Sequence, residues 1–257
     1  MLDKLVGPLR TLVERWRSNN RQTEGHEPCP ALQCKQLGDD KTVLFVQPYT
    51  MTSPQRIHAL CSAVRYIEQT GIAGAVVECG VWRGGSMMAV ARTLIDCGAT
   101  DRDLYLFDTF EGMTEPGPLD ISLNGDSAET LLNQSAKTEE DLVWCYAPME
   151  RVVQALALTT YPKSHVHLIP GPVEQTLSVS TPERIALLRL DTDWYESTKH
   201  ELDVLFPRLC PGGVLIIDDY GHWQGARRAV DEYMQRHQIN MQLHNIDYTG
   251  RIGVKTL

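Results

Sequence analysis

No apolar stretch of this chain is long enough to span a bilayer. The first ten residues, Met1 to Arg10, are broken by charges and lack the apolar core of a secretion signal. A soluble, cytoplasmic protein with no membrane partner is expected. Basic charge is also scarce: 24 Lys and Arg stand against 33 Asp and Glu, a net charge of −9. That balance argues against general affinity for nucleic-acid phosphates. The 7 cysteines include no C-x-x-C; Cys29 and Cys34 are close but wrongly spaced, and Cys61, Cys79, Cys97 and Cys210 sit in apolar or helical contexts. Reduced, mostly buried thiols follow, and no zinc site. There is no G-x-G-x-x-G and no G-K-[ST], so neither a dinucleotide fingerprint nor a triphosphate cradle is present. No internal repeat or low-complexity tract appears.

Hydrophobic residues make up 42% of the 257, enough for a real core, most simply one α/β domain with additions. Leu2, Leu5, Leu9, Leu12, Val13 and Trp16 share one helical face, with Pro8 restricting it, and predict an amphipathic arm that favours a homo-oligomer. A polar, turn-rich linker follows to about Asp40, then a short β-like run over Thr42 to Val46. Residues 1–52 are thus read as arm and linker, and 53–257 as the main domain. Ser53 is placed as N-cap and Pro54 as first residue of a helix with Ile57, Leu60, Cys61, Val64 and Ile67 on its apolar face.

From Gly74 onward strands alternate with helices. Strands are expected at Ala75–Cys79, Asp103–Asp108, Val166–Ile169, Ala186–Leu190 and Val214–Ile217. Helices are expected at Ser86–Cys97, Ser197–Phe206 and Gln224–Gln238. Gln242–Asp247 and Arg251–Lys255 can close as a hairpin. This alternation predicts an α/β, doubly wound, mostly parallel sheet with ligands at the carboxyl ends of its strands. A polar excursion over about 111–147, holding Pro116-Gly117-Pro118 and Asn124-Gly125-Asp126-Ser127, is longer than a usual connection and is expected to act as a lid or specificity loop.

The chemistry-bearing residues gather at those strand ends. The first strand runs into Glu78-Cys79-Gly80-Val81-Trp82-Arg83-Gly84-Gly85-Ser86. Gly80 allows a sharp turn, Gly84 and Gly85 allow close ligand approach, and Ser86 can cap the helix. Glu78 would repel a pyrophosphate and accept an ammonium or hydroxyl. Asp108, ending the second strand, is placed for a ribose diol. A phosphate-free ligand with a sulfonium and an amino group, S-adenosylmethionine, fits this turn better than NAD. Further on, Asp191 and Asp193 follow one apolar run, and Asp218 and Asp219 another. So many carboxylates at adjoining strand ends call for a cation, a shared proton or water, and hard oxygen ligands suit Mg²⁺, Mn²⁺ or Ca²⁺ rather than zinc or copper. Asp193 could serve as general base; alternatively Asp193 or Asp219 could cap the helix that follows it. His222 is a candidate substrate contact or a loop histidine with a structural bond.

Four segments together are similar to the macrocin O-methyltransferase family, Mg²⁺-dependent sugar O-methyltransferases of antibiotic pathways. They are Val77 to Ser86, Phe107-Asp108-Thr109-Phe110-Glu111-Gly112-Met113, Leu190-Asp191-Thr192-Asp193-Trp194-Tyr195-Glu196-Ser197-Thr198, and Ile217-Asp218-Asp219-Tyr220 through Asp231. The resemblance implies a class I methyltransferase fold with S-adenosylmethionine over the first strands. It implies metal ligation by Asp191, Asp218 and Asp219, a base role for Asp193, and closure of Met51 over the methyl donor. Gly171-Pro172-Val173-Glu174 lacks the bulky aromatic usual there, and the stretch from Glu115 to Trp144 is no close match; both departures concern the acceptor. The expected reaction is methylation of a vicinal diol on a deoxysugar. The alternatives are an aromatic, catechol-type diol and a non-catalytic S-adenosylmethionine-binding protein. An NAD-dependent reductase lacks both a phosphate-compatible turn and a Tyr/Lys pair.

Overall fold

The computed structural model describes Cys29 and residues 38–256; the amphipathic arm expected up to Asn20 lies outside them. Helix α1 covers Gly38–Val46, where a β-like run was expected over Thr42–Val46. The buried positions are Asp39, Thr42 and Val46, a helical spacing. Asp39 pairs with Arg65, and Phe45 lies under the Arg92 guanidinium at 4.3 Å. Packing against two helices therefore overrides the strand preference of the β-branched residues.

The helix α2, Pro54–Gln69, begins as the sequence predicts: the Arg56 amide donates to Ser53 Oγ at 3.2 Å. Strand β1 (Ala75–Cys79), helix α3 (Gly85–Asp96) and strand β2 (Leu104–Asp108) follow. Within the insertion lies α4 (Ala128–Asn133), and after it α5 (Met149–Ala157). The second half comprises β3 (Val166–Pro170), α6 (Val173–Ser180), β4 (Ile185–Leu190), α7 (Tyr195–Leu205), β5 (Leu209–Ile217) and α8 (Gln224–Arg236), with a closing pair β6 (His244–Asn245) and β7 (Arg251–Val254). Helices α4 and α6, of 6 and 8 residues, are too short to stand out in the sequence; α5 is also absent from the expected elements, although Val152, Ala155 and Leu156 keep a helical spacing.

The sheet order is β3-β2-β1-β4-β5-β7-β6. The five long strands are parallel, and β7 runs antiparallel to β5. The central strands β1 and β4, and β5 over Val214–Ile217, are buried on both faces, which is why they read as apolar runs, while the outer strand β3 is only half-buried. Val76, Leu104, Leu106, Leu187, Val214 and Ile216 pack under α2 and α3. Val77, Phe107, Leu188, Leu190, Leu215 and Ile217 pack under α6, α7 and α8. The order reverses between β1 and β4, so a crevice opens at their carboxyl ends. A satellite apolar cluster seats the insertion over it: Ala128, Leu132, Val143 and Trp144 pack with Trp194 and Trp223.

Candidate active site

One cavity of about 410 Å³ spans the crevice. Its donor-side wall is built by the glycine turn after β1. Gly80 has φ +82°, and a Cβ there would stand 1.9 Å from the Asp191 carbonyl oxygen. Only glycine lets the ends of β1 and β4 approach this closely. Gly85 plays the same part against Tyr49 and Thr50, where a Cβ would come within 2.6 Å. This brings Met51 and Ser86 onto the cavity together with Gly80 and Asp108. Ser86 does not cap α3: the N-cap is Gly84 and the helix starts at Gly85, because the left-handed turn at Gly84 carries the chain one residue earlier into the helix.

Asp108 accepts from the Val81 amide (2.6 Å), the Trp82 amide (3.0 Å) and the Phe110 amide (2.7 Å). Burial pushes its carboxyl up, and the three amides oppose that push. Thr109 Oγ1 adds a fourth, long bond at 3.5 Å; a ribose hydroxyl that displaces this weak donor remains compatible with Asp108. Glu78 is 1% exposed and does not line the cavity. Its Oε1 accepts from Arg189 at 2.6 Å, while Oε2 is buried with no hydrogen-bond partner. Burial lifts this carboxyl to about 8. The orphan oxygen is a ready acceptor for an ammonium group.

On the other side, β4 and β5 deliver the aspartates. Asp191, Asp218 and Asp219 offer oxygens within 4.8 Å of one another. Asp193 stands at φ +67°, and its amide donates to Asp219 Oδ2 at 3.3 Å. Burial and the Asp219 charge hold Asp193 well above the usual carboxylate range. Burial and Asp191 push Asp219 up to about 7. Neither caps a helix through its side chain, since the N-caps of α7 and α8 are Trp194 and Trp223. His222 also lines the cavity, with Nδ1 3.4 Å from the Tyr248 hydroxyl. Its pKa is lowered by burial and then by the Arg56 charge.

Two arginines missed from the sequence complete the cluster. Arg189 forks between Glu78 and Asp191 (2.7 Å) through Nη1, and between Asp218 (2.6 Å) and Thr52 Oγ1 (3.0 Å) through Nη2. Arg56 pairs with the second oxygen of Asp218 and, at 3.0 Å, with Asp247. The signal for Arg189 was a lone cation inside a buried strand; Arg56 gave none. Five carboxylates (Glu78, Asp191, Asp193, Asp218, Asp219) crowd around two guanidiniums, and the upward shifts of Glu78, Asp193 and Asp219 mark burial and repulsion that protons relieve when no cation is bound. The all-oxygen donor set and this crowding fit a hard divalent cation.

The fold, the donor turn and the carboxylate cluster now stand together for comparison. A family profile described as macrocin-O-methyltransferase (TylF) matches residues 5–253. The chain belongs to the macrocin O-methyltransferase family. Among similar proteins is an 8-demethyl-8-(2,3-dimethoxy-alpha-L-rhamnosyl)-tetracenomycin-C 4'-O-methyltransferase of Streptomyces olivaceus, 35% identical over 202 residues, covering 79% of this chain and 74% of that one. Another is the mycinamicin III 3''-O-methyltransferase of Micromonospora griseorubida, 31% identical over 222 residues, covering 85% and 82%. The solved O-methyltransferase NovP superposes with a TM-score of 0.70 at 28% identity, covering 81% of this chain and 83% of that one. As a macrocin O-methyltransferase family member, the chain is an enzyme with the class I, S-adenosylmethionine-dependent fold. Among its described residues no helix is long and apolar enough to cross a membrane.

Proposed function

We propose that the enzyme moves the methyl group of S-adenosylmethionine to a hydroxyl of a vicinal diol on a glycosylated natural product. The observation that carries this is the Asp191, Asp218 and Asp219 set converging within 4.8 Å, with Asp193 against it. Met51, Gly80, Ser86 and Asp108 frame the donor, and Glu78 behind that wall keeps Oε2 without a partner, an acceptor for the donor's amino group if the wall opens to it. Asp193 accepts the proton of the acceptor hydroxyl. The resulting oxygen attacks the methyl carbon in line, and sulfur leaves with the bonding pair as adenosylhomocysteine. Asp191, Asp218 and Asp219 would hold Mg²⁺ or Mn²⁺, which supplies charge stabilisation to the acceptor oxygens. Positioning and preorganised charge account for most of the acceleration.

The lining also speaks to the acceptor. Six carboxylates (Asp108, Glu174, Asp191, Asp193, Asp218, Asp219) and one guanidinium, Arg56, face the cavity. A sugar nucleotide would bring a pyrophosphate into that field. An uncharged glycoside would not, and the insertion offers Met113, Leu131, Leu132, Leu142 and Val143 to its apolar part. The names of the two relatives, a rhamnosyl-tetracenomycin and a mycinamicin methyltransferase, agree with this reading. The same apolar wall favours an aromatic diol as the second reading.

The test is a panel of rhamnosyl glycosides, a nucleotide-rhamnose and a catechol, assayed for methyl transfer with Mg²⁺ or with EDTA. Transfer to a glycoside, lost in EDTA and lost in Asp191→Ala and Asp193→Asn while calorimetry still shows adenosylhomocysteine binding, is expected. Turnover that persists in EDTA would refute the cation's part. Catechol turnover alone would move the assignment to the second reading.

A further inference from the structure

The two helices that lead away from the aspartate pairs do not cap themselves. The α7 N-cap, Trp194, and the α8 N-cap, Trp223, make no side-chain cap bond. Both first amides are instead taken by two adjacent residues of the insertion. The Tyr195 amide donates to Asp120 Oδ1 at 2.7 Å, and the Gln224 amide donates to the Ile121 carbonyl at 2.9 Å. Asp120 Oδ2 accepts from the Gly117 amide at 2.7 Å, and the residue is 2% exposed. Gly225 makes the room: a Cβ there would stand 2.0 Å from Asp120 Oδ1. Around this point Trp194 Nε1 donates to the Thr114 carbonyl at 3.1 Å, and Gln224 Nε2 to the Ser122 carbonyl at 3.3 Å. A carboxylate at a helix N-terminus satisfies an orphan amide and meets the positive end of the dipole. Here it is supplied from a remote segment to the helix beginning two residues after Asp193.

We infer that Asp120 is a positioning residue: the Asp120-Ile121 step of the insertion clamps the starts of α7 and α8 and so fixes the spacing of the carboxylates on the turns before them. Asp191 and Asp193 lie on one turn and Asp218 and Asp219 on the other. Arg189 and the bond from the Asp193 amide to Asp219 join the two turns from within the cluster, and the Asp120-Ile121 step ties the helices that follow them from outside it. The insertion is thereby more than a cover: it is tied to both turns through Asp120, Ile121 and Thr114.

The inference rests on reading the carboxylate cluster as a cation site, so the test uses two probes. Mn²⁺ binding is followed by electron paramagnetic resonance, and adenosylhomocysteine binding by calorimetry. Asp120→Ala should weaken Mn²⁺ by about tenfold and leave adenosylhomocysteine affinity unchanged. Asp120→Asn, whose Oδ1 can still accept from Tyr195, should recover most of the loss. Gly225→Ala should reproduce it by collision, although alanine favours the helix, and the double variant should be no worse than either single. Wild-type Mn²⁺ affinity in both Asp120→Ala and Gly225→Ala overturns the inference, as does equal loss of both probes. Should the wild type bind no Mn²⁺, the cation reading fails, and amide hydrogen exchange decides the clamp by itself. Asp120→Ala must then speed exchange at Gln224 as well as Tyr195. Gln224 is bonded to Ile121, so a cap serving α7 alone would leave it unchanged, and that result too overturns the inference.

Discussion

Replacing Arg189 by methionine removes one guanidinium of comparable length and leaves three carboxylates facing one another. Arg189 has a side-chain exposure of 3%, and its bonds to Glu78, Asp191 and Asp218 measure 2.6, 2.7 and 2.6 Å. Glu78 and Asp218 are themselves almost fully enclosed. Breaking a buried ion pair by deleting one partner costs about 3–5 kcal/mol, because the remaining charge is desolvated and uncompensated. Here the first proton uptake relieves part of that, so the lower half of the range is the expectation at neutral pH. For a chain of this size each kcal/mol moves the midpoint by about 2–4 °C, so about 3–4 kcal/mol gives a fall of about 6–16 °C for Arg189→Met. Calorimetric melting in chelator at pH 7.5 reads it. Two further measurements separate this cause from lost packing. At a pH above about 8, where Glu78 ionises, adding Glu78→Gln to the methionine variant should raise the midpoint, since an uncompensated charge is removed. Millimolar Mg²⁺ should raise it more in Arg189→Met than in the wild type, since Asp191 then has no arginine partner and Asp218 keeps only Arg56. A midpoint within about 2 °C of wild type, or a double variant that melts below the single one at the higher pH, would refute the electrostatic reasoning.

Glu78 carries a pH signature. Its carboxyl rises from 4.5 to about 8 on folding, so its contribution is fully present below about pH 4.5 and is lost as pH rises through about 8. The cation-free protein should therefore melt lower at pH 8 than at pH 5.5, and Glu78→Gln should flatten that slope; an unchanged slope would count against the burial argument. Ser53→Ala removes both the α2 cap and the 2.6 Å bond to Asp247 and should lower stability by about 1–2 kcal/mol in urea unfolding, with no change in the m-value. Gly80→Ala should abolish adenosylhomocysteine binding in calorimetry, because the new Cβ meets the Asp191 backbone rather than a movable side chain; wild-type affinity would show that β1 and β4 can part.

The strands and the aspartates at their ends were legible because they obey local rules. A strand buried on both faces reads as an unbroken apolar run, and a polar residue at its end marks the rim. The Ser53-Pro54 start of α2 is likewise a local signal. What escaped were elements whose reason lies elsewhere in the chain. The segment 42–46 has strand-like residues but a helical role, fixed by Arg65 and Arg92. Glu78 was expected to accept an ammonium or hydroxyl; its Oε1 is engaged by an arginine 111 positions away, which the local pattern does not disclose, and Oε2 is left without a partner.

The order of chemistry along the chain was therefore a property of sequence: a glycine turn after β1, an acid after β2, and aspartate pairs after β4 and β5. Hydrophobic periodicity and strand termini are encoded within a few residues, so they survive without coordinates. Which charges neutralise which was decided only by tertiary structure. Arg56 and Arg189 reach Asp218 from α2 and β4, and Asp120 reaches α7 from the insertion. Coulomb energy and helix capping depend on distance in space, and separations of 29 to 162 residues leave no mark in local pattern.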